Sequence, residues 1–166
     1  MGVSGVGKTT LGEALARAMG WEFIDGDDFH PPANVAKMAS GVALEDADRW
    51  PWLERLNEEL WKRERDGRSA VLACSALKES YRRRLTARLR AARIVYLHGG
   101  FDLIHRRLSE RRHRYMPASL LRSQFDTLEA PRDAIAVDVS AAPADCVAAA
   151  AAALARETSK GDLRSS

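Results

Sequence analysis

Near the start of the chain, Gly2-Val3-Ser4-Gly5-Val6-Gly7-Lys8-Thr9 meets the pattern G-x-x-x-x-G-K-[ST] at every fixed position. Each fixed residue type has a chemical task in such a run. Glycines let successive backbone N–H groups converge on phosphate oxygens, the lysine brings a point charge to the β and γ phosphates, and the threonine hydroxyl meets Mg²⁺ at the positive end of the next helix. The competing explanation, a glycine-rich turn that merely contains Lys and Thr, is disfavoured by the helical pattern that follows at once. Gly2 through Thr9, with Thr10, are therefore the candidate ATP-binding set, and Lys8 is a candidate catalytic residue.

A second cluster, Asp25-Gly26-Asp27-Asp28-Phe29-His30-Pro31-Pro32, follows a short apolar run and so falls where a parallel strand delivers its end to a ligand crevice. Asp25 is placed to act on Mg²⁺ through water, alongside Thr9. Asp27, two residues on and on the same side of an extended chain, is placed to orient or deprotonate an acceptor hydroxyl. A blander use of the same turn is that Asp27 or Asp28 caps a helix and His30 lies on the surface. Ser75 and Lys78 follow the next apolar run and should face the same crevice. Cys74 reads as a buried strand residue, because no base is spaced to activate it. The basic stretch from Arg106 to Arg114 fits either a nucleic-acid patch or a lid closing on phosphates; with no interleaved aromatic platform, the lid over about 106–120 is the better reading.

Elements must hold these groups in place. Apolar residues at helical spacing predict helices over 8–19, closed by Gly20, and over 46–65, with Pro51 near the first turn. Further helices are predicted over 78–90, 101–112, 117–128 and, rich in alanine, 144–157. Strands are predicted at 21–24, 69–73, 94–97 and 135–139. Strands alternating with helices predict a single α/β domain over 1–166, with a parallel sheet flanked by helices. A phosphate loop normally leaves the end of a central strand, yet only Met1 precedes Gly2. The expectation is that this first strand is largely missing from the chain as given, which starts at an internal methionine. Two strand edges would then be exposed and the loop would lack its anchor.

Composition narrows the class. The 166 residues are 46% hydrophobic and 30% charged, ordinary values for a globular protein. The longest apolar run, 146–155, is about half of the ~20 residues a membrane span needs. No charged segment followed by a leucine-rich stretch opens the chain, and Cys74 and Cys146 lack metal-ligand spacing, so reduced thiols in a cytoplasmic protein are expected. The net charge of +3 conceals a basic excess confined to 78–114. The tryptophans read as packing residues.

The residues from Asp25 to Leu53 carry a family likeness. Asp27-Asp28, His30-Pro31, Asn34, Lys37-Met38, Gly41, Leu44, Asp46, Asp48-Arg49 and Pro51-Trp52-Leu53 resemble the gluconokinases of the shikimate-kinase-like group. The likeness continues through Ala73-Cys74-Ser75-Ala76-Leu77-Lys78, Tyr81-Arg82, Met116-Pro117, Leu120-Leu121, Ser123-Gln124-Phe125 and Thr127-Leu128-Glu129, to about Val139. It implies a three-layer P-loop kinase fold and transfer of the ATP γ-phosphoryl group to the 6-hydroxyl of D-gluconate, giving 6-phosphogluconate and ADP. With it come ATP and Mg²⁺, a cytoplasmic homodimer, and neither nucleic acid nor membrane as partner. Gluconate is an anion with several hydroxyls, so its site needs a cation for the carboxylate and mixed donors and acceptors for the polyol. His30, Lys37, Arg49 and Arg82 are the candidates, with Asp27, Ser75 and Lys78. Solvated helix charges are the alternative use of Lys37 and Arg49, and a basic face with Arg83 that of Arg82. Arg111 matches the family pattern as a catalytic lid residue, although His113-Arg114-Tyr115-Met116 stands where the family has Gly-His-Phe-Met. Alternatives are a shikimate- or nucleotide-type small kinase, another polyol kinase, and an inactive truncated or regulatory nucleotide-binding protein.

Overall fold

The computed structural model describes residues 1–110 and 118–162. Four short strands alternate with helices in the order expected of an α/β fold. The first helix, α1 (Lys8–Met19), is closed by Gly20 in the left-handed conformation, whose N–H reaches the carbonyls of Ala16 and Arg17. It buries Leu11, Gly12, Leu15 and Ala16. Gly12 is required by packing: a Cβ there would stand 2.8 Å from the Phe23 ring of strand β1 (Glu22–Asp25). A 3₁₀ turn (Gly26–Phe29) and α2 (Pro32–Ala39), neither of them predicted from the sequence, follow β1.

Helix α3 (Asp46–Arg65) has the predicted bounds and carries Pro51 inside it, burying Trp52, Leu53 and Leu56. Strand β2 (Ala70–Ala73) leads to α4 (Glu79–Thr86), which is shorter than the 78–90 expected: Lys78 is its N-cap and the helix stops at Thr86. Then come β3 (Val95–His98), α5 (Phe101–Ser109), α6 (Ala118–Thr127), β4 (Ile135–Asp138) and α7 (Pro143–Asp162). Strands β1 and β3 lie one residue later than predicted, β2 and β4 are one residue shorter, and α7 is longer at both ends.

The strands do not form one sheet. β1 pairs in parallel with β2, from Glu22 beside Ala70 to Asp25 beside Ala73, and β3 pairs in parallel with β4. Residues 1 and 2 stitch the halves together. The Met1 amine donates to Val95 O at 2.6 Å and Leu97 N donates to Met1 O at 2.9 Å, the two bonds of one parallel rung opposite Tyr96. On the other side, Gly2 N donates to Ser75 O at 3.2 Å. One rung fixes the start of the loop, while among the described residues no strand pairs with the facing edges of β2 and β3. Between β2 and β3 lies a cavity of about 530 Å³, lined by Leu11, Leu15, Val71, Ala73 and Val95 among others.

Two apolar cores result. One joins α1 and α7 to β3, β4, α5 and α6 through Leu11, Leu15, Leu97, Ile104, Leu121 and Leu154. The other packs Trp52, Leu53 and Leu56 of α3 against Cys74, Tyr81 and Leu85. The site lies where the ends of β1 and β2 meet these cores.

Candidate active site

The glycine-rich loop runs from the Met1 rung into α1. Gly5 has φ +81°, a region side chains disfavour, and a Cβ there would come within 2.5 Å of the Leu108 side chain on α5. The loop is therefore seated on α5 with no room to spare. From the opposite side, Gln124 of α6 holds it at two atoms: Ser4 N donates to Gln124 Oε1 at 2.7 Å, and Gln124 Nε2 donates to Ser4 Oγ at 3.1 Å. Lys8 Nζ folds back over the loop to Val3 O at 3.1 Å.

Beside the start of α1, the end of β1 brings in the acidic turn. Thr9 Oγ1 donates to Asp25 Oδ2 at 3.2 Å, and Asp27 N donates to Asp25 Oδ1 at 3.1 Å. Asp25 is thus the N-cap of the 3₁₀ turn and the partner of Thr9 at once, an all-oxygen pair of the kind a hard divalent cation accepts. Among the described residues no group of three His, Cys, Asp or Glu is arranged to hold a metal. Two protein oxygens suit Mg²⁺ well, because this ion keeps most of its shell for water and phosphate. Asp27 itself is exposed.

His30 leaves the turn and stacks on Trp52, with ring centroids 4.2 Å apart and planes 16° from parallel. Trp52 is fixed in turn by its Nε1–H on Gly26 O at 2.7 Å. Burial, reinforced by the Arg49 charge and opposed by Asp27, holds the His30 pKa below its usual value, so the ring is neutral near pH 7 and has both a donor and an acceptor nitrogen. Asn34, buried, donates to Asp48 O at 2.8 Å and ties α2 to the start of α3.

The cationic candidates fall into two ion-paired groups at that junction. Lys37 Nζ lies 2.6 Å from Asp48 Oδ2, and this hydrogen bond raises the lysine pKa while Asp48 is held low. Lys78 Nζ contacts both Asp46 oxygens at 3.0 and 2.9 Å, the Tyr81 hydroxyl donates to Asp46 Oδ1, and Arg49 Nη1 is 3.5 Å from the same oxygen. The hydrogen bonds from Tyr81 and then Lys78 lower the Asp46 pKa, and Asp46 raises that of Lys78.

Two expected residues sit differently. Arg82 is only 6% exposed, and its Nη1 donates to Ala76 O at 3.1 Å and Leu77 O at 2.9 Å, so that nitrogen is engaged on the loop after β2. In that loop Ala76 has φ +41°. Ser75 uses its carbonyl to receive Gly2 N. Cys74 is buried, which pushes its thiol up to about 11 and leaves it no nucleophile. Arg111, His113 and Arg114, with the middle of the expected lid, lie outside the described residues. Asp46, Tyr81 and Gln124 were named in the sequence only as parts of a likeness; nothing in their spacing reveals that they gather around one carboxylate or one loop.

A family model described as an AAA domain matches residues 1–152. A gluconokinase from Gluconobacter oxydans is 48% identical over 133 residues, which cover 80% of this chain and 75% of that protein. A probable gluconokinase from Xenopus tropicalis is 44% identical over 157 residues, covering 84% of this chain and 83% of its own. Among solved structures, that of a gluconokinase from Sinorhizobium meliloti 1021 superposes with a TM-score of 0.91 at 44% identity, covering 100% of this chain and 95% of the other.

Proposed function

The chain belongs to the gluconokinase family, and from that premise we propose how its residues divide the work. The enzyme is an ATP-dependent kinase that transfers the γ-phosphoryl group to the 6-hydroxyl of D-gluconate, giving 6-phosphogluconate and ADP. Neither a shikimate- nor a nucleotide-type acceptor is favoured by these relatives.

The observation that carries the division of roles is the Thr9–Asp25–Asp27 chain of hydrogen bonds, which joins the phosphate loop to the acceptor side through one carboxylate. The backbone N–H groups of residues 2–10 bind the phosphates, and Lys8 releases Val3 O to meet the β and γ oxygens. Thr9 and, through water, Asp25 would hold Mg²⁺, which when bound neutralises charge on those oxygens. Asp27 orients the 6-hydroxyl and accepts its proton as the oxygen attacks. Neutral His30, whose Nδ1 faces the Asn34 amide NH2 at 3.5 Å, has Nε2–H to donate to a hydroxyl of the polyol, while Arg49, Lys78 and Lys37 supply the positive charge that the carboxylate requires. Ser75 belongs with this group, whereas Arg82 shapes the loop beneath it. Arg111, carried from the likeness alone, closes on the transferring group from a lid over about 106–120 of a single domain.

Among the described residues no helix is long and apolar enough to cross a membrane. The decisive experiment is ATP- and Mg²⁺-dependent formation of 6-phosphogluconate by this chain, followed with D-gluconate, shikimate and a nucleoside monophosphate in parallel. Turnover of gluconate alone is expected. ATP binding without turnover of any acceptor would overturn the reading in favour of a nucleotide-binding protein without kinase activity.

A further inference from the structure

At the junction of α3 and α4, one carboxylate accepts hydrogen bonds from Lys78 and Tyr81 and forms an ion pair with Arg49. Asp46, the first residue of α3, faces Lys78, the N-cap of α4, and Tyr81, one turn into it, while Arg49 reaches back from the next turn of α3. Tyr81 is the pivot: it is 4% exposed, its hydroxyl accepts from Arg49 Nη1 at 3.2 Å and donates to Asp46, and both cations lie over its ring, Lys78 at 5.3 Å and Arg49 at 5.5 Å from the centroid. Trp50 packs edge-on against the same ring at 5.5 Å.

Stability does not account for this arrangement. The Asp46 side chain is 44% exposed and those of Lys78 and Arg49 are 33% and 29% exposed, and ion pairs in such water-accessible settings contribute about 0–1 kcal/mol. What the carboxylate does achieve is order. A free lysine or arginine has about 2 kcal/mol of rotamer entropy to lose when it grips a ligand. Asp46 removes that cost beforehand by holding both cations against a buried ring. The group keeps a net positive charge, two cations against one anion. The contacts of Arg49 with Asp46 and Tyr81 both engage Nη1, so they leave Nη2 and Nε for another anion.

We propose that Asp46 is the positioning residue of the acceptor pocket, fixing Lys78 and Arg49 as a preorganised cationic pair that recognises the carboxylate end of the sugar acid. The proposal rests on the gluconokinase reading and adds to it the feature that separates an aldonate from a neutral polyol. Asp46 touches neither reacting atom; it acts through Lys78 and Arg49.

The test compares the unaltered chain with Asp46→Asn, which keeps shape and an acceptor oxygen for Tyr81 but removes the charge, and with Asp46→Glu, which restores it. The readouts are KM for gluconate, KM for ATP, the inhibition constant of D-glucitol, which has the same polyol chain without the carboxylate, and Tm. In Asp46→Asn the gluconate KM rises roughly tenfold, the equivalent of about 1.4 kcal/mol, while the glucitol constant and the ATP KM move less than about twofold. Asp46→Glu recovers part of the loss. Equal changes for gluconate and glucitol, or a fall in Tm with no change in either, would mean that Asp46 only supports the fold, and would overturn the proposal. If the unaltered chain turns over no gluconate, the functional reading fails and the proposal with it; if it does and Asp46→Asn matches it, the proposal alone fails.

Discussion

Asp27 is the side chain on which the proposed chemistry turns. It follows Asp25 by two residues, its backbone N–H is fixed by the Asp25 carboxylate, and its own carboxylate is left at the exposed edge of the turn. A general base at that position contributes about 10²–10⁴-fold, so Asp27→Asn is expected to lower kcat by at least roughly 10²-fold with the ATP KM unchanged. Steady-state kinetics with both substrates varied checks this; a variant that retains most of its turnover shows that the carboxylate only orients the hydroxyl. Asp25, Asp27 and Thr9 were legible in the sequence because loop and strand-end motifs are local: a few consecutive residues carry both the chemistry and the geometry. Arg82 was not. Sequence gives a guanidinium its charge but not its direction, and only the fold reveals that it turns inward to Ala76 O and Leu77 O. The same limit hid Gln124, whose two bonds to Ser4 span 120 positions.

At the scale of elements, α4 works as a clamp on the segment that follows β2. Ala76 sits at φ +41°, a conformation costing a non-glycine residue about 1–2 kcal/mol, and Arg82 holds it there from the second turn of the helix. Arg82→Met keeps most of the aliphatic stem and strips the donors, taking from Ala76 O its Arg82 partner while Leu77 O keeps Glu129 N, at a cost of about 1–3 kcal/mol. Urea unfolding should record that loss directly. An Arg82 that bound substrate instead would leave the urea midpoint in place and raise the gluconate KM alone. A second element-level expectation concerns the packing of the phosphate loop on α5. Gly5→Ala puts a Cβ within 2.5 Å of Leu108 at a φ of +81°, so loop and helix must part. ATP affinity, measured by titration calorimetry, is expected to fall by more than about tenfold, since the N–H groups no longer converge. Helices α1 and α3 were readable to the residue because their apolar spacing and closing signals agree. The strands, four residues each, carry too few positions for a period to fix their ends, and α4 ends at Thr86 while the basic pattern runs on.

On the scale of the whole molecule, residues 1 and 2 join two half-sheets. The Met1 amine is the donor of the rung on β3, set among Lys8, Arg82 and the cavity wall, and burial first, then the Lys8 charge, lowers its pKa from 8.0 to about 5. The amine is neutral in the fold at pH 7 and protonated in the unfolded chain, so unfolding takes up a proton between about pH 5 and pH 8. Stability must therefore rise with pH across that window, be complete above about pH 8 and be lowest below about pH 5, with a slope of up to roughly 1.4 kcal/mol per pH unit. For a domain of this size that is about 2–4 °C in Tm per kcal/mol. His30, whose pKa is also lowered, adds a slope of the same sign near its own titration, so the comparison has to isolate the amine. Acetylation of Met1 does so: the amide keeps its N–H for Val95 O and cannot ionise, and the cavity between β2 and β3 has room for the added methyl. Thermal melts from pH 5.5 to 8 should show a steeper rise for the free amine than for the acetylated chain, with the acetylated form the more stable at the acid end. Parallel curves would mean that the terminal charge stays in water, and that the sheet halves are held by packing of α1 and α7 rather than by the Met1 rung.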